Sequence, residues 1–276
     1  MRIDTHQHFW VYNTHDYPWM GQGMDSLRRD FLPPDLAPLL AYTGIDGTVS
    51  VQARQCLEES SFLLELADRY PFIKGVVGWV ELCNPAVEEQ LARFAAHPKL
   101  RGVRHIVHDE PDDQFMLRPD FMRGIAMLPQ FKLTYDLLLY PRHVPVAVEL
   151  VKRFPEQPFV VDHIAKPFIK DHKIEPWDRD IRVLAAFGNV YCKVSGMVTE
   201  ADWKRWKATD FPPYLDVIFE SFGAKRIMIG SDWPVCTLAA TYPQVMQIPT
   251  DYLEKLSRDE QAAVWGDNAK RFYGLA

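Results

Sequence analysis

Residues 2–10 read Arg2-Ile-Asp-Thr-His6-Gln-His8-Phe-Trp10, an alternation that is typical of a β-strand. Because successive side chains of a strand point to opposite faces, His6 and His8 are predicted to lie on one face, one pleat apart. Two imidazoles so placed can bind one divalent cation or one substrate oxygen. The motif alone is a weak indication, since two partly buried histidines bonded to backbone carbonyls give the same pattern.

Beyond this stretch, strand-like and helix-like segments alternate to the end of the chain. Apolar, β-branched runs predict seven further strands, at Gly44–Gln52, Ile73–Leu82, Leu100–Val107, Lys132–Tyr140, Pro158–Ile164, Asn189–Ser195 and Arg226–Gly230. Helical periodicities lie between them, at Ser60–Tyr70, Ala86–His97, Val144–Phe154, Trp177–Phe187 and Pro213–Phe222. The strands begin roughly every 30 residues, which is the interval of a barrel that shares about 250 residues among eight strand–helix units.

The predicted fold class is therefore α/β, a single (β/α)8 TIM-type barrel. A doubly wound open sheet is the alternative, but that fold usually has a Gly-rich dinucleotide loop after its first strand. The corresponding position here holds His6-Gln-His8-Phe-Trp10. No Gly-rich linker or change of composition divides the chain, so residues 1–276 are expected to form one domain.

Two segments lie outside the regular alternation. Residues 11–34 are rich in aromatics, Gly and Pro, and we expect them to form a loop over the mouth of a pocket. A loop packed on the side of the barrel is the alternative. Residues 250–276 are expected to form closing helices, with Ser257 and Glu260 at the spacing of a capping box.

Composition and charge exclude several classes of protein. A net charge of −6 and a pI near 5.8 give no reason to expect nucleic acid or an anionic membrane as a partner. No apolar run could span a bilayer, and the amino terminus does not resemble a signal peptide. The cysteines are far apart in the sequence (Cys56, Cys83, Cys192 and Cys236). This spacing predicts reduced thiols and a cytoplasmic location, and argues against a disulfide framework.

In a barrel of this type, chemistry is located where the strands end. The polar residues at the predicted strand ends are, in chain order, His6 and His8, Gln52 and Arg54, Trp79 and Glu81, Arg104, His105 and His108, Tyr135 and Asp136, Asp162 and His163, Lys193 and Ser195, and Ser231 and Asp232. At the fourth strand, alternation allows either Arg104 and His108 to point inward together, or His105 alone.

Three of these segments resemble the amidohydrolase superfamily, specifically its amidohydrolase-2 branch: Asp4-Thr-His6-Gln-His8, Asp162-His163-Ile-Ala-Lys166-Pro167 and Gly230-Ser-Asp232-Trp-Pro234. Four more are similar to the sugar-lactonase group of that branch, which includes L-fuconolactonase and L-rhamnonolactonase. They are Val51-Gln-Ala-Arg54-Gln, Leu100-Arg-Gly-Val-Arg104-His105, Asp136-Leu-Leu-Leu-Tyr140-Pro and Val194-Ser-Gly-Met-Val-Thr-Glu200-Ala-Asp-Trp203.

The resemblance implies a site made of His6, His8, His163 and Asp232. Many members complete a metal centre with a histidine on strand five, or with a lysine or glutamate on strand four. This chain has Tyr135-Asp136 and Arg104 there. We therefore expect at most one divalent ion, with zinc as the best candidate, and its absence is an open alternative because lactonases of this branch are thought able to work without metal.

Opening a lactone needs an activated water, a stabilised oxyanion and a proton for the leaving alkoxide. Asp232 is the candidate general base, although an Asp after a strand can also serve only as a cap or turn residue. His163 and Arg104 are the candidate donors to the carbonyl oxygen, against purely structural alternatives. The candidate substrate-binding residues are Gln52, Arg54, Lys166 and Trp233. Lys193 and Ser195 are left unassigned, since a serine nucleophile needs a partnered base.

The predicted function is hydrolysis of a small sugar lactone, an aldonolactone similar to L-fuconolactone, by a water that Asp232 activates. The alternatives are a metal-dependent decarboxylase of an aromatic or unsaturated acid and a non-catalytic sugar-acid binding barrel. The expected partner is a small-molecule substrate, and assembly into a homo-oligomer remains open.

Overall fold

The computed structural model describes residues 1–276 and contains eight parallel β-strands in one sheet. They are β1 (Ile3–Gln7), β2 (Gly47–Val51), β3 (Ile73–Gly78), β4 (Leu100–His105), β5 (Thr134–Leu137), β6 (Phe159–Val161), β7 (Val190–Val194) and β8 (Ile227–Ile229). Each strand pairs with the next in sequence order. The sheet closes between its first and last strands, where His8 N donates to Trp233 O at 2.7 Å and Asp232 N donates to His6 O at 2.8 Å. The predicted (β/α)8 barrel is confirmed.

Helices connect the strands and surround the barrel. They are α1 (Pro33–Thr43), α2 (Leu57–Arg69), α3 (Val87–Ala95), α4 (Pro119–Met127), α5 (Val144–Arg153), α6 (Trp177–Ala185), α7 (Met197–Glu200), α8 (Pro212–Phe222), α9 (Tyr242–Leu253), α10 (Arg258–Ala262) and α11 (Asn268–Tyr273). The periodic segments predict α2, α3, α5, α6 and α8, but α1 and α4 carry no such prediction. Both begin at a proline, which is tolerated in the first turn of a helix because its missing N–H has no partner there. None of the helices is long and apolar enough to cross a lipid bilayer.

The interior of the barrel has an apolar layer near the amino-terminal ends of the strands. It consists of inward side chains from several strands together with residues from the carboxyl-terminal helix and the residues after it: Ile3, Val49, Val51, Val77, Val160, Met228, Ala269, Phe272, Tyr273 and Leu275. These residues form a cluster separate from the larger core between sheet and helices. Helix α11 therefore closes the barrel at the end opposite to the strand ends that carry the site.

Above this layer the inward positions are charged. Arg104, Asp136 and Lys193 point inward from β4, β5 and β7, and Asp162 directly follows β6. With His6 they form a group that we call the floor cluster, and none of its members is more than 3% exposed. Barrel interiors are usually filled by bulky apolar side chains. Charged residues at this depth must therefore be paired with one another, because an isolated buried charge is very costly.

The chain takes an unusual path directly after β6. Four consecutive residues without glycine, His163 to Lys166, have positive φ values between 48° and 59°. Such a conformation costs free energy in L-amino acids, most of all for the β-branched Ile164, so the surroundings must enforce it. Trp177 Nε1 donates to the Ile164 carbonyl at 2.7 Å, and Lys166 N donates to the His163 carbonyl at 2.8 Å. This left-handed turn fixes the directions of His163 and Lys166.

Residues 11–34 form an irregular lobe whose two ends are joined. Trp10 and Phe31 exchange backbone hydrogen bonds of 3.0 Å, and the ring of Trp10 packs against Tyr17 and Trp19. Arg54 binds the lobe to the barrel, because its guanidinium pairs with Asp16 at 2.5 Å. The lobe is therefore held at the end of the barrel where β1 and β2 terminate.

Candidate active site

Three histidines surround one oxygen of Asp232. The Nε2 atoms of His8, His163 and His6 lie 3.3, 3.8 and 3.9 Å from Asp232 Oδ1. His6 lies on β1 and His8 directly follows it, Asp232 lies in the segment after β8, and the left-handed turn after β6 supplies His163. The structure thus brings together the four residues that the sequence suggested for a metal-binding or catalytic centre.

The hydrogen bonds of His8 determine which of its nitrogens carries the proton. His8 Nδ1 lies 2.8 Å from the Val51 carbonyl oxygen, which can only accept, so Nδ1 must carry a hydrogen. In the neutral ring, Nε2 then presents a lone pair to Asp232 Oδ1 at 3.3 Å. Two acceptors at this distance repel each other unless a proton or a cation lies between them. The site is therefore built to hold positive charge at this point.

The other members of the floor cluster surround His6. Arg104 Nη1 lies 3.1 Å from His6 Nε2, while Asp162 Oδ1 and Lys193 Nζ each lie 3.3 Å from His6 Nδ1. Since Arg104 donates to Nε2, the neutral ring carries its proton on Nδ1, beside the Asp162 carboxylate. Burial lowers the pKa of His6 well below its ordinary value, with Lys193 and His163 adding to the effect and Asp162 opposing it. His6 is thus a neutral ring that accepts from Arg104.

The guanidinium of Arg104 has few hydrogens left for a substrate. Nη1 is used by His6 and by Asp162, whose Oδ2 it approaches at 2.9 Å. Nη2 donates to both the carbonyl and the side-chain oxygen of Gln52. Only Nε remains, buried and without a partner. Arg104 can therefore offer a developing oxyanion its positive charge, but not a bidentate fork of N–H donors.

The floor cluster alternates in charge from one side of the barrel to the other. Lys193 Nζ pairs with Asp136 at 2.5 Å and with Asp162 at 3.0 Å. Tyr273 Oη, from α11, donates to Asp136 at 2.9 Å. Burial raises the pKa of Asp136 to about 6 against the effect of Lys193. Burial acts in the same direction on Asp162, but Lys193, His6 and Arg104 together hold the pKa of Asp162 well below its ordinary value.

Near neutral pH, Asp232 is ionised and His163 is neutral. Burial alone would raise the pKa of Asp232, but the surrounding histidines lower it below its ordinary value. Burial lowers the pKa of His163 to about 4, and Lys166 acts in the same direction against Asp232. His163 Nδ1 lies 2.9 Å from Ser195 Oγ. Because the Asp232 carboxylate favours a proton on the facing Nε2, we assign the hydrogen of this bond to Ser195, which donates it to Nδ1.

A cavity of about 380 Å³ opens above these residues. Nineteen side chains line it: His8, Trp10, Trp19, Met24, Ala53, Arg104, Ile106, His108, Asp109, Leu138, Tyr140, His163, Lys166, Thr199, Glu200, Trp203, Asp232, Val235 and Leu238. Arg104 and His108 are among them and His105 is not, because the His105 ring bonds Glu110 at 2.6 Å and stacks on Phe115. Of the two orientations that alternation allows for β4, the structure therefore has the one in which Arg104 and His108 point inward together.

Of the four candidate substrate-binding residues, only Lys166 lines the cavity. Gln52 is fully buried and bonds Arg104, so it orients that residue from behind. Trp233 is 3% exposed and packs edge-on against Phe9 and Phe31. Arg54 pairs with Asp16 and Glu59, away from the cavity.

Several residues of the site have no role predicted from the sequence. The aromatic part of the cavity comes from Trp10, Trp19, Tyr140 and Trp203 instead of Trp233. The sequence assigns no role to Lys193 and Ser195, yet they contact His6 and His163. One available signal was a lysine within an otherwise apolar predicted strand, because a lysine buried there needs carboxylates on neighbouring strands.

The ligand types at the site fit a divalent cation. His6, His8 and Asp232 each offer one ligand atom, and these atoms all lie within 4.8 Å of one another. Ligand atoms bound about 2.0–2.1 Å from a tetrahedral zinc are about 3.3 Å apart, which matches the separation of His8 Nε2 and Asp232 Oδ1. Arg104 competes for this role, since it donates to His6 Nε2 and adds a positive charge. The residues thus fit one ion, of which His8 and Asp232 would be the least contested ligands.

The fold and the site together define a class of protein. It is a (β/α)8 barrel in which histidines at the end of the first strand and an aspartate after the last strand can hold a divalent ion. Comparison with known proteins identifies the family more closely. The family profile described as Amidohydrolase matches residues 3–275. The chain belongs to this amidohydrolase family.

Individual relatives are similar over their whole length. The chain is 42% identical to L-fucono-1,5-lactonase of Burkholderia multivorans, covering 100% of this chain and 96% of that protein. It is 38% identical to L-fucono-1,5-lactonase of Burkholderia ambifaria, covering 99% and 96%. A crystal structure of an amidohydrolase from Burkholderia multivorans with bound zinc covers 100% of both chains at 42% identity, with a TM-score of 0.96.

Proposed function

We propose that this protein is a lactonase that hydrolyses a small sugar lactone, with L-fucono-1,5-lactone as the first candidate substrate. The observation that carries the proposal is a buried, ionised Asp232 with three imidazoles around one of its oxygens, at the base of a cavity large enough for one small sugar ring. The two L-fucono-1,5-lactonases similar to this chain over nearly its full length support the substrate class.

Asp232 acts as the general base in this proposal. Its lowered pKa keeps the carboxylate ionised at neutral pH, so it can accept a proton from a water as that water attacks the lactone carbonyl carbon. The same carboxyl then delivers the proton to the ring oxygen as the carbon–oxygen bond breaks. One water is consumed, and the product is a hydroxy acid in which the former ring oxygen is a hydroxyl group.

The oxyanion that forms during the attack needs donors that are already in place. His163 is neutral, and its Nε2–H is the principal donor, because Ser195 occupies Nδ1. Arg104, which lines the cavity, contributes its positive charge. Gln52 and Asp162 hold the guanidinium from behind and prevent it from turning away.

A divalent ion, zinc by preference, would be held by His8 and Asp232, with His6 as the further ligand. When bound, such an ion supplies Lewis-acid polarisation of an oxygen. We propose one weakly held ion at most, because the guanidinium of Arg104 lies 3.1 Å from His6 Nε2 and repels a second cation.

We also propose that residues 11–34 cover the mouth of the cavity. Trp19 and Met24 of this segment belong to the cavity lining, and Arg54 ties the segment to the barrel through Asp16. A covered cavity excludes bulk water, which strengthens the electrostatic interactions at the carbonyl. Lys166 would then contact the hydroxyls of the bound lactone.

A pH-indicator assay tests the proposal, because opening a lactone releases a proton. The purified protein would be assayed on stereoisomeric aldonolactones and on aromatic carboxylates, before and after treatment with a chelator. We expect rapid opening of L-fucono-1,5-lactone and no release of carbon dioxide from the carboxylates. Decarboxylation without lactone opening would replace this function by the decarboxylase alternative. Metal analysis of the same preparation should find no more than one equivalent per chain.

A further inference from the structure

The wall of the cavity is chemically uneven around the barrel. The sector contributed by the ends of β1 and β8 and by residues 11–34 is mainly apolar, with Trp10, Trp19, Met24, Val235 and Leu238. The sector that follows β6 and β7 contains Lys166, Thr199, Glu200 and Trp203. Polar groups also line the cavity after β4 and β5, where His108, Asp109 and Tyr140 lie, so a ligand meets hydrogen-bonding groups everywhere except at the apolar sector.

The sector after β6 and β7 is centred on one ion pair. Lys166 Nζ lies 2.9 Å from Glu200 Oε1, and the two side chains are 17% and 21% exposed. Neither charged group has another hydrogen-bond partner in the protein, so two hydrogens of the ammonium and the second carboxylate oxygen remain available. An ion pair in this state can add a ligand without giving up its own bond.

The positions of both residues are restrained. Lys166 ends the left-handed turn that Trp177 holds through the Ile164 carbonyl. Glu200 ends α7, and the Trp203 indole beside it donates to the Thr199 carbonyl at 2.8 Å. Because that N–H is already used, the ring of Trp203 offers the cavity an apolar surface. Little conformational freedom of the backbone is then lost when a ligand binds, which favours selectivity.

We propose that Lys166 and Glu200 together recognise two neighbouring hydroxyls of the lactone ring, with Lys166 donating to one and Glu200 accepting from the next. This inference rests on the proposed lactonase function. The pair has no net charge, so it suits uncharged hydroxyls, whereas a lysine without Glu200 would suit a carboxylate. The methyl carbon of an L-fuconolactone, which has no hydroxyl, is then directed to the apolar sector.

The proposal identifies one position on the substrate. A sugar 1,5-lactone of this type has ring hydroxyls on C2, C3 and C4, and each of the two neighbouring pairs includes C3. The 3-hydroxyl must therefore contact Lys166 or Glu200, whichever pair is recognised. Losing a hydrogen bond to a charged group reduces the apparent affinity by about 10- to 100-fold.

The experiment combines the removal of one substrate hydroxyl with substitutions of Lys166 and Glu200. kcat/KM would be measured for wild type, Lys166→Met, Glu200→Gln and the double variant, on L-fucono-1,5-lactone and on its 3-deoxy analogue. We expect wild type to prefer the 3-hydroxylated lactone by about 10- to 100-fold. In the double variant the preference should fall to about threefold or less. Glu220→Gln, at the exposed Arg182–Glu220 pair, serves as the control and should keep the wild-type preference.

The preference is a ratio of two rates of one preparation, so it does not depend on how much of a variant is folded. If the double variant lost activity equally on both lactones, the pair would act on the chemistry and the proposal would be overturned. An unchanged preference would overturn it as well. If wild type opened neither lactone, the lactonase function itself would fail, and that result needs no variant.

Discussion

The floor cluster and the rim of the cavity are both built on ion pairs, but the pairs differ in their surroundings. In the floor cluster, Lys193 and Asp162 are fully buried, and their only partners are other buried groups. At the rim, Arg54 and Asp16 are 25% and 31% exposed. Water can replace a lost partner at the rim but not in the floor. We therefore expect substitutions in the floor to affect folding and catalysis, and those at the rim to affect mainly substrate affinity.

The largest expected effect belongs to Asp232, which lies directly above the floor and contacts its His6. Asp232→Asn keeps the size of the side chain and removes the base, so kcat on the best lactone should fall by about 10²–10⁴-fold. The thermal unfolding midpoint should change little. Asp216→Asn, at an exposed carboxyl that pairs with Lys255, is the control and should keep full activity. Near-wild-type turnover by Asp232→Asn would exclude the assigned role.

The floor can be tested without measuring activity. Lys193→Met leaves Asp136 and Asp162 buried without their shared cation, and breaking such a pair typically costs about 3–5 kcal/mol of stability. The double variant Lys193→Met/Asp136→Asn removes one of the two carboxylates that would lack a cation, so it should recover part of the lost stability. Urea denaturation measures both values. If Lys193→Met were as stable as wild type, losing an ion pair in the floor cluster would cost no more stability than losing one at the surface.

His108 lies between the two regions, since it lines the cavity yet is mostly buried. Burial lowers the pKa of His108 to about 2 from the ordinary 6.5, so the folded state binds a proton less readily than the unfolded chain. The stabilising contribution of the neutral ring is therefore complete above about pH 6.5 and is lost as the pH falls. The slope approaches about 1.36 kcal/mol per pH unit below pH 6.5, so the loss between pH 6.5 and 4.5 is about 2 kcal/mol.

His108→Gln removes this titration. Its unfolding free energy, measured by urea denaturation across the same pH range, should fall less steeply than that of wild type by about that amount. Parallel pH profiles for the two proteins would show that His108 behaves as an exposed rim residue.

The smallest expected effect is at the rim. Asp16→Asn removes the charge that pairs with Arg54 and holds residues 11–34 against the barrel, and it leaves the bond between Arg54 and the buried Glu59 in place. A partly exposed pair of this kind contributes up to about 1 kcal/mol, so KM should rise by about two- to fivefold while kcat is retained. Arg182→Met removes an exposed ion pair far from the cavity and provides the comparison. A fall in kcat with unchanged KM would mean that the Arg54–Asp16 pair acts on the floor instead.

The same contrast explains how much of the molecule can be predicted from the sequence. The fold follows from strands that recur at a regular interval, and His6, His8, His163 and Asp232 are found because strand ends share one face of a barrel. Gln52 and Trp233 also stand at strand ends, but alternation does not reveal whether a side chain reaches the cavity or packs behind it. Arg54 lies past the end of β2, where strand alternation no longer applies.

The floor cluster is the hardest part to predict because its members pair with one another but come from several different strands. The sequence around Asp136 or Lys193 does not mark either residue as part of a site. Their role becomes clear only when the structure shows that they pair with each other. Their partners come from β6, from β1 and, through Tyr273, from α11. Pairing between distant segments leaves no local pattern in a single sequence.

The closure of the barrel between β1 and β8 also constrains the order in which this protein can fold. His6 and Asp232 are 226 positions apart, yet Asp232 N donates to His6 O and their side chains form part of one site. Contacts of such sequence separation form late, because the entropy lost in closing the chain must first be offset by other contacts. A chain that has built seven strands but not the eighth has no complete site. Recovery of activity during refolding should therefore report the final closure of the barrel, after most secondary structure has already returned.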